Sequence, residues 1–455
     1  MELEPITRQE QIIAGKNLEP ITRMERFLKE YVGGSSGGSS GTASVSEKDV
    51  NFYDYDGTLL HSYTVAEAQA LTELPALPEH EGLICQEWNY DLDTIKEHNR
   101  ALNIGATYIT DDGTTRIYIT LQEGRTSPML GVCPNGTVTV DWGDGTTPDV
   151  LTGTSTSTVQ WTPTHEYAKA GNYVIRLTVD GEMGINGTSL GGGGGGPYIL
   201  RFNSADDYRN KAYLSAIQKI EIGKNVYIGS YAFAGCYALS SIIIPNCITN
   251  FGGYVFQNCY SLPFITIPNV VQSFGYYTFS ECTSLLAIAI PNSVTTMTGD
   301  VFHHCYSLKS ITIPNQVKTI GGHTFDSCYN LREIYIPVLI TRISAEMLYS
   351  CTNLKHITMQ GNITNIDSGA FRHCTGLLSI VIPNSVTTIA TKAFLNCYSA
   401  KFYDFTNHTA VPTLSDSSAF TSIAEDCQIR VPAALYDEWI AATNWATYAS
   451  YIVAV

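Results

Sequence analysis

Residues 256–278 read FQNCYSLPFITIPNVVQSFGYYT, and this pattern recurs every 23 residues along nearly half of the chain. The period is marked by eight cysteines: Cys236, Cys259, Cys282, Cys305, Cys328, Cys351, Cys374 and Cys397. A fixed period of this size is typical of a solenoid, in which each repeat packs only against its neighbours. The sequence therefore predicts a stacked array with a long, regular surface, a shape that suits binding rather than catalysis.

Other positions recur in step with the cysteines. Phenylalanine precedes most of the cysteines by three residues, and leucine follows most of them by three. A short strand comes next, in which the alternation places Ile265 and Ile267 on one face and Thr266 on the other. Pro268 ends this strand because proline brings no N–H group to a ladder of hydrogen bonds. Each repeat is thus expected to be one coil with a strand on one side and a turn on the other.

The repeat resembles the leucine-rich repeat of BspA-like bacterial surface proteins and of many phage-encoded proteins, with the motif L-x-x-I-x-I-P-x-x-(V/I)-x-x-I-x-x-x-x-F-x-x-C. The resemblance covers roughly residues 214–400. The repeat around Cys351 departs from the motif, since Leu348 replaces phenylalanine and Gln360 replaces proline. Because one cysteine per coil would stack among Phe, Leu and Ile, we expect the eight cysteines to be small buried hydrophobes rather than disulfide partners or metal ligands.

Composition limits the classes of partner. The 455 residues carry 26 Lys and Arg against 42 Asp and Glu, a formal net charge of −16. This balance argues against nucleic acid or an anionic membrane as partner, since both need basic patches. No apolar run approaches the roughly 20 residues that span a bilayer. The N-terminal MELEPITRQEQ lacks the features of a secretory signal.

The N-terminal residues 1–32 contain a duplication. LEPITR stands at residues 3–8 and again at 18–23, and each copy runs into a capping box that predicts a short helix. A flexible Gly/Ser linker at 33–45 follows. The arrangement resembles N-terminal tags of tail, fibre and head-decoration proteins of phages of gut bacteria, which implies a virion anchor. The candidate anchoring residues are Ile6, Thr7, Arg8, Ile21, Thr22, Arg23, Phe27 and Leu28.

Residues 46–112 are predicted to form a small acidic α+β module. Its expected elements are a strand at Val50–Tyr55, a helix after Thr64 with Glu67 as capping partner, and a helix at Leu92–Leu102. This segment also resembles a small module that recurs in structural proteins of gut phages.

One motif in this module has an enzymatic alternative. The DYDGT of residues 54–58 is similar to the DxDGT loop of haloacid-dehalogenase-type phosphatases. That resemblance would make Asp54 the nucleophile and Asp56 the general acid/base, with Asp111 and Asp112 holding Mg²⁺. The segment is shorter than the doubly wound domain of such an enzyme, and DYDGT is also a good hairpin turn. We therefore favour the turn.

Residues 113–183 resemble a PKD-type immunoglobulin-like domain, through VDWGDGT at 140–146, HEY at 165–167 and GNYVIRLTV at 171–179. Such domains act as stalks. Asp141 and Asp144 could bind Ca²⁺, but a role in the turn is the favoured interpretation. A Gly-rich loop and solenoid cap at 184–230, which includes Gly191–Gly196, precedes the repeats at 231–402. A C-terminal cap at 403–455 is expected to pack Leu435, Trp439, Ala442 and Trp445 against the last coil.

Two rows of side chains are candidate binding surfaces. The outward positions of the strands give Phe264, Thr266, Ser310, Thr312, Glu333, Tyr335, His356 and Thr358 as candidate ligand-binding residues. A second row near the turns contains Tyr254, Tyr276, Tyr277, His323 and the tyrosines that follow cysteines. Exposed aromatic side chains suit stacking on glycans and protein hot spots, although several of these tyrosines could instead shield the ladder.

The sequence thus predicts a multidomain, mostly β protein: short N-terminal helices, an Ig-like sandwich and a leucine-rich repeat solenoid. The expected function is a non-enzymatic phage virion appendage, a tail or head fibre. Its N-terminus would attach to capsid or tail proteins, and its solenoid would bind host-surface protein or glycan. The alternative is a BspA-like adhesin on the bacterial cell surface. We expect no catalytic residues, cofactor, bound metal, nucleic-acid partner or membrane insertion, and a homo-oligomer such as a trimer is compatible with the sequence.

Overall fold

A computed structural model describes residues 48–186, 199–202 and 216–455. These residues lie within one compact unit that spans Val45–Val455. The predicted helices at 1–32 with their anchoring residues, the linker at 33–45 and the Gly191–Gly196 run lie outside the described residues, so these stay predictions.

The first module is a four-stranded mixed sheet with two short helices. Its elements are β1 (Val50–Tyr53), β2 (Leu59–Tyr63), α1 (Val65–Gln69), β3 (Leu83–Trp88), α2 (Leu92–Glu97) and β4 (Leu102–Thr110). The order in the sheet is β2-β1-β4-β3, with β1 parallel to β4 and antiparallel to β2. Phe52, Trp88, Ile95 and Ile104 form the centre of its core.

Local signals within this module are confirmed with shifted boundaries. The Thr64 side chain accepts from the backbone of Glu67, and the Glu67 carboxylate accepts from the backbone of Thr64, so the capping box forms. Helix α2 ends at Glu97 and not at Leu102 as predicted, because the chain is extended at His98 and Leu102 already begins a buried strand. Strand β1 likewise ends at Tyr53, where the chain turns back into β2.

A block of long antiparallel strands follows. It consists of β5 (Thr115–Leu121), β6 (Pro128–Asp141), β7 (Asp149–Thr154), β8 (Gln160–Trp161), β9 (Gly171–Ile185), β10 (Leu200–Phe202) and β11 (Ile217–Glu221). As expected from the alternation, Val138, Val140, Ile175 and Leu177 are buried. The separate Ig-like sandwich predicted for 113–183 is not shown. Instead β5 pairs with β11, so the block is continuous with the first strand of the solenoid.

The two aspartates of the predicted Ig-like segment act as turn residues. Oδ1 of Asp141 accepts from the backbone of Gly143 at 2.9 Å, and Oδ1 of Asp144 accepts from the backbone of Thr146 at 3.1 Å. The other oxygen of Asp144 lies 2.8 Å from Nε2 of His165. These bonds confirm the turn interpretation.

The rest of the chain winds into a β-solenoid of about ten turns. Its elements are β12 (Val226–Ile228), β13 (Ser241–Ile243), β14 (Phe264–Thr266), β15 (Ser273–Phe274), β16 (Ala287–Ala289), β17 (Thr296–Met297), β18 (Thr319–Ile320), β19 (Glu333–Ile336), β20 (Arg342–Ile343), β21 (His356–Met359), β22 (Asn365–Ile366), β23 (Ser379–Val381), β24 (Thr388–Ile389), β25 (Phe402–Asp404), β26 (Thr413–Leu414), β27 (Gln428–Val431), α3 (Tyr436–Ala441) and β28 (Ile452–Ala454). Strands of successive coils pair in parallel with a register of one repeat, as between Glu333 and His356 or between Thr296 and Thr319. Residues 23 apart in sequence therefore lie side by side.

The interior of the solenoid is built from columns of identical residues. The phenylalanines stack in near-parallel planes, with ring centroids 5.3 Å apart for Phe256 and Phe279 and 5.4 Å apart for Phe279 and Phe302. All eight cysteines of the period are free and buried. Each thiol from Cys259 onward donates to a main-chain carbonyl of the preceding coil, at 3.2 Å for Cys282 to Phe256. The predicted role of these cysteines in the core is confirmed.

The C-terminal cap forms as expected, with a shorter helix. Trp439 of α3 and Trp445 are fully buried, and Leu435 and Ala442 pack at the edge of the same core. Nε1 of Trp445 donates to the carbonyl of Pro412 at 2.7 Å. Strand β28 then pairs with β27, so the chain ends within the solenoid sheet.

Candidate binding surface

The strand side of the solenoid presents the predicted alternation. Ile265, Ile288 and Ile334 point into the core and are buried, while the residues on either side of each point outward. Since the strands pair in register, the outward residues form rows along the solenoid. The face predicted from the sequence therefore exists, and its accessibility depends on what lies against it.

The acidic module covers the first part of this face. The ring of Tyr53 lies 4.9 Å from that of Phe264, which is only 4% exposed. Backbone atoms of Gly105 approach Thr266 so closely that an added Cβ would lie 2.1 Å from its Oγ1. The side-chain amide of Asn89 donates to the main-chain carbonyls of Ile267 and Ala289, both at 3.1 Å. The module is thus bonded to the solenoid through buried polar groups as well as apolar contacts.

A second set of contacts extends the cover by two more coils. The hydroxyl of Tyr90 donates to the carbonyl of Ile290 at 2.5 Å, and burial raises the pKa of this tyrosine. The guanidinium of Arg100 lies 3.8 Å from the ring centroid of Tyr335 and donates to the carbonyl of Ile313 at 2.7 Å. Arg100 marks the end of the covered part, because the outward residues His356, Thr358 and Val381 of the next coils are exposed.

A charged group holds the module against the start of the solenoid. Arg116 donates to the carbonyl of Gly82 at 3.0 Å and lies 3.3 Å from the buried carboxylate of Glu221 on β11. It also pairs with Asp111 at 3.1 Å and with Asp112 at 3.0 Å. The pKa of Asp112 is lowered by its bonds to Thr114 and Arg116, against the opposing effect of burial. These two aspartates, which the phosphatase alternative assigned to Mg²⁺, are thus bound to an arginine.

The predicted ligand-binding residues divide into two groups. Phe264 and Thr266 are buried under the module, Thr312 donates to the carbonyl of Ala101 at 2.8 Å, and Tyr335 lies under Arg100. Ser310 is half-buried, whereas Glu333, His356 and Thr358 are exposed. For the covered residues the prediction of a ligand-binding role needs correction, since a partner could reach them only if the module moved away.

The uncovered part of the strand side is called the open strand face. Its residues are Glu333, His356, Thr358, Ser379, Val381, Phe402, Asp404, Gln428 and Arg430. Val381 is 56% exposed, and the guanidinium of Arg430 lies 3.9 Å from the ring centroid of Phe402. The face therefore combines the exposed Val381 and the half-buried ring of Phe402 with hydrogen-bonding groups and with charges of both signs.

The DYDGT motif forms the hairpin turn that its sequence favours. Oδ1 of Asp56 accepts from the backbone of Thr58 at 2.9 Å, which leads β1 into the antiparallel β2. Asp54 is buried and accepts from the hydroxyl of Tyr108 at 2.7 Å, while its other oxygen lies 2.8 Å from Nε2 of His80. Burial raises the pKa of the nearby Cys85 to about 11, so this thiol is not an activated nucleophile. The hydrogen bonds of Asp54 to Tyr108 and His80 thus link β1 to β4 and to the segment before β3.

The turn side carries further columns of side chains. Tyr254 stacks on Tyr277 with ring centroids 4.9 Å apart, and Tyr306 stacks on Tyr329 at 5.0 Å. These tyrosines of the second candidate row thus contact their equivalents in the next coil. In the middle coils the column of Tyr254 and Tyr277 continues to His323, while His303 and His304 stand at other positions of the turn. Burial and the neighbouring His304 lower the pKa of His303.

The repeat motif does not by itself indicate this histidine group, although His323 belongs to the second candidate row. Within residues 48–186, 199–202 and 216–455, three ligand atoms lie close enough to meet one metal ion in two groups: Glu281, His303 and His304, and His323, Asp326 and Glu346. The 23-residue period could have predicted these contacts, because residues one period apart lie side by side. The pairs Glu281 with His304, His303 with Asp326, and His323 with Glu346 are each 23 residues apart.

Comparison with solved structures finds several leucine-rich repeat proteins. One from Bacteroides ovatus is 24% identical, with 47% of this chain and 60% of that chain covered and a TM-score of 0.40. A leucine-rich repeat protein of T. pallidum is 23% identical over 40% of this chain and 83% of its own, with a TM-score of 0.32. A leucine-rich cell surface protein of Faecalibacterium prausnitzii is 24% identical over 49% and 86%, with a TM-score of 0.31. The chain thus spans less than two thirds of the Bacteroides protein.

No curated protein matches this chain. In the part of the chain that the structure describes, the helices are too short to cross a bilayer. The family model that matches is the BspA type leucine rich repeat region, in six copies over residues 209–305 and 296–423. Proteins built from such repeats are generally structural or binding proteins rather than enzymes. The match agrees with the 23-residue register and the stacked core described above, and residues 209–423 are therefore a leucine-rich repeat region of the BspA type.

Proposed function

We propose that this chain is a non-enzymatic surface protein that binds a protein or glycan of a host through the open strand face, in the manner of a BspA-like adhesin. The observation that carries the proposal is the division of the strand side. The module covers the coils up to Tyr335, while the rows from Glu333 onward are left accessible. A continuous row of accessible side chains on a rigid, parallel-paired scaffold is the usual binding surface of a solenoid.

The chemistry of the open strand face supports a neutral, polar partner. His356 and Thr358 offer hydrogen-bonding groups, and Phe402 offers a ring held in place by Arg430. Val381 on β23, the strand between those of Thr358 and Phe402, supplies an exposed apolar contact. Aromatic and aliphatic surface beside hydroxyl and imidazole groups suits the alternating apolar and polar faces of a sugar, and also a protein hot spot.

The test is binding of the purified full chain to a panel of immobilised glycans and extracellular-matrix proteins. Val381→Arg changes the centre of the open strand face, and Thr387→Arg makes the same charge change at an exposed position on the return side of the same coil. We expect V381R to weaken binding of every positive probe by about tenfold or more, which is the loss of one hot-spot contact. Equal binding by V381R and the matched control T387R would exclude this face as the binding surface.

A phage virion appendage is the second candidate function, and the duplicated LEPITR segment with its Gly/Ser linker favours it. In this case capsid or tail proteins would hold residues 1–32, and the same open strand face would contact the host. Immunogold electron microscopy of material from the native source, with an antibody against the solenoid, separates the two locations. Label on cell envelopes would support the adhesin function, whereas label on virions would support the function of a virion appendage instead.

A further inference from the structure

The middle coils bring histidines and carboxylates together on the turn side, away from the open strand face. His303 and Asp326 are equivalent residues of successive coils, and so are His323 and Glu346. Parallel pairing with a register of 23 residues places the members of each pair side by side. The two pairs lie next to each other because His323 and Asp326 come from the same turn, where their side chains also meet. Three of these side chains, His323, Asp326 and Glu346 from two successive coils, thus converge on one point.

The distances centre on one oxygen. Oδ2 of Asp326 lies 3.2 Å from Nδ1 of His323 and 3.7 Å from Nε2 of His303. Nδ1 of His323 lies 3.5 Å from Oε2 of Glu346. The ligand atoms of His323, Asp326 and Glu346 all lie within 4.8 Å of one another. Asp326 is 7% exposed, and its other oxygen accepts from the hydroxyl of Ser327 at 2.8 Å, which orients the carboxylate.

The 3.5 Å between His323 and Glu346 is longer than a typical hydrogen bond and matches an edge of a metal coordination sphere, whereas the 3.2 Å between His323 and Asp326 fits either. A charge-assisted N–H···O bond is about 2.7–2.9 Å long. Two ligands of a tetrahedral Zn²⁺, with bonds of about 2.0–2.1 Å, lie about 3.3–3.4 Å apart. The neighbouring pair differs, since Nδ1 of His304 lies 2.5 Å from Oε1 of Glu281. That pair is a direct hydrogen bond, which leaves no room for an ion between the two atoms.

The ligand types select the class of metal. Imidazole nitrogen with carboxylate oxygen is a donor set suited to Zn²⁺ and other divalent transition metals. Ca²⁺ prefers six to eight oxygen ligands, and Mg²⁺ keeps an octahedral shell of oxygens and water. The hydrogen bond from Ser327 is the kind of outer contact that fixes a metal-bound carboxylate.

We propose that His323, Asp326 and Glu346 form a binding site for one divalent transition-metal ion, with Zn²⁺ as the expected occupant. The ion joins the coils that contain Asp326 and Glu346. The site lies on the turn side, whereas the acidic module contacts the strand side at Ile313 and Tyr335. It is independent of the proposed binding function, because no residue of the open strand face belongs to it.

The experiment titrates ZnCl₂ into the metal-free full chain at pH 7.5 by isothermal calorimetry, followed by Co²⁺ absorption as a probe of geometry. We expect one equivalent of Zn²⁺ per chain, a raised melting temperature and the intense visible bands of tetrahedral Co²⁺. His323→Ala and Glu346→Gln each remove one ligand, and we expect each to weaken Zn²⁺ binding by about a hundredfold or more. Ser327→Ala should weaken it by about tenfold, since it removes only an outer contact.

Two matched variants serve as controls. Glu281→Gln changes a carboxylate of the neighbouring group, and His373→Ala removes a histidine on the same side whose Nδ1 lies 3.1 Å from Asn396. Both should bind Zn²⁺ as the unchanged chain does. No Zn²⁺ binding by the unchanged chain, or equal binding by E346Q and E281Q, would overturn the proposal. Because Glu346 is partly exposed, E346Q tests the site even if His323→Ala disturbs the turn.

Discussion

At the scale of single residues, the repeated cysteine satisfies two requirements at once. Its side chain is small and apolar enough for a column packed between phenylalanine and leucine. Its thiol also donates a weak hydrogen bond to a main-chain carbonyl of the preceding coil, which accepts only one backbone N–H within its own turn. The carbonyl of Phe256 accepts from the backbone of Cys259 at 3.1 Å and from the thiol of Cys282 at 3.2 Å. Alanine would leave the second lone pair unused, and serine would bury a more polar group.

This packing predicts a sharp difference in thiol reactivity. Burial raises the pKa of Cys236 and of Cys397 to about 12, whereas Cys247 is exposed. We expect iodoacetamide at pH 8 to modify Cys247 in the native chain and to modify the eight column cysteines only in guanidinium chloride. Mass spectrometry of the peptides measures this. Native labelling of the column at the rate of Cys247 would show that the solenoid opens readily and that the thiols are not held in the core.

At the scale of elements, the main feature is the docking of the acidic module on the strand side. The close approach of Gly105 to Thr266 allows backbone of β4 to lie against β14. The side-chain amide of Asn89 also holds the module to two successive coils, since it donates to the carbonyl of Ile267, directly after β14, and to that of Ala289 in β16. A side chain at residue 105 would have to push the two sheets apart.

We expect Gly105→Ala to loosen this docking at a cost of about 1–3 kcal/mol in the free energy of unfolding, the usual range for overpacking. Urea unfolding measures the cost. Limited trypsin digestion reports the docking, because cleavage after Arg100 requires its guanidinium to leave Tyr335. The double variant Gly105→Ala with Thr266→Gly clears the clash and should restore part of the protection. A chain with G105A alone that resists trypsin and urea as well as the unchanged chain would contradict this account.

The sequence predicted elements within a repeat better than contacts between modules. The period gave the strands, the buried cysteines and the outward rows, because equivalent residues of a solenoid have equivalent neighbours. The same period could have predicted the pairs His303 with Asp326 and His323 with Glu346. No period relates Asn89 to Ile267, which are 178 residues apart. The sequence therefore did not indicate that the acidic module covers Phe264 and Thr266, and the predicted exposure of these two side chains was too high.

At the scale of the whole molecule, the solenoid is closed at both described ends. At the start, β11 joins the antiparallel block through β5 and the first parallel coil through β13, so Trp142 and Phe233 belong to one continuous core. Through this junction the strands of residues 113–183 are continuous with the solenoid. At the other end, aromatic rings of the cap cover the last coil. A solenoid without such ends would expose its apolar columns.

The C-terminal cap gives the prediction that tests how stability is distributed. Trp445 is fully buried, and its ring lies 5.5 Å from those of Phe405 and Phe420. We expect Trp445→Ala to cost about 3–5 kcal/mol, as is usual for a buried tryptophan. Because each coil contacts only its neighbours, hydrogen exchange should accelerate first in β25–β28 and remain slow in β5 and β6. Glu438→Ala on α3 is the control, since Glu438 is exposed. Equal acceleration along the whole chain in W445A would show instead that the solenoid and the antiparallel block unfold as one cooperative unit.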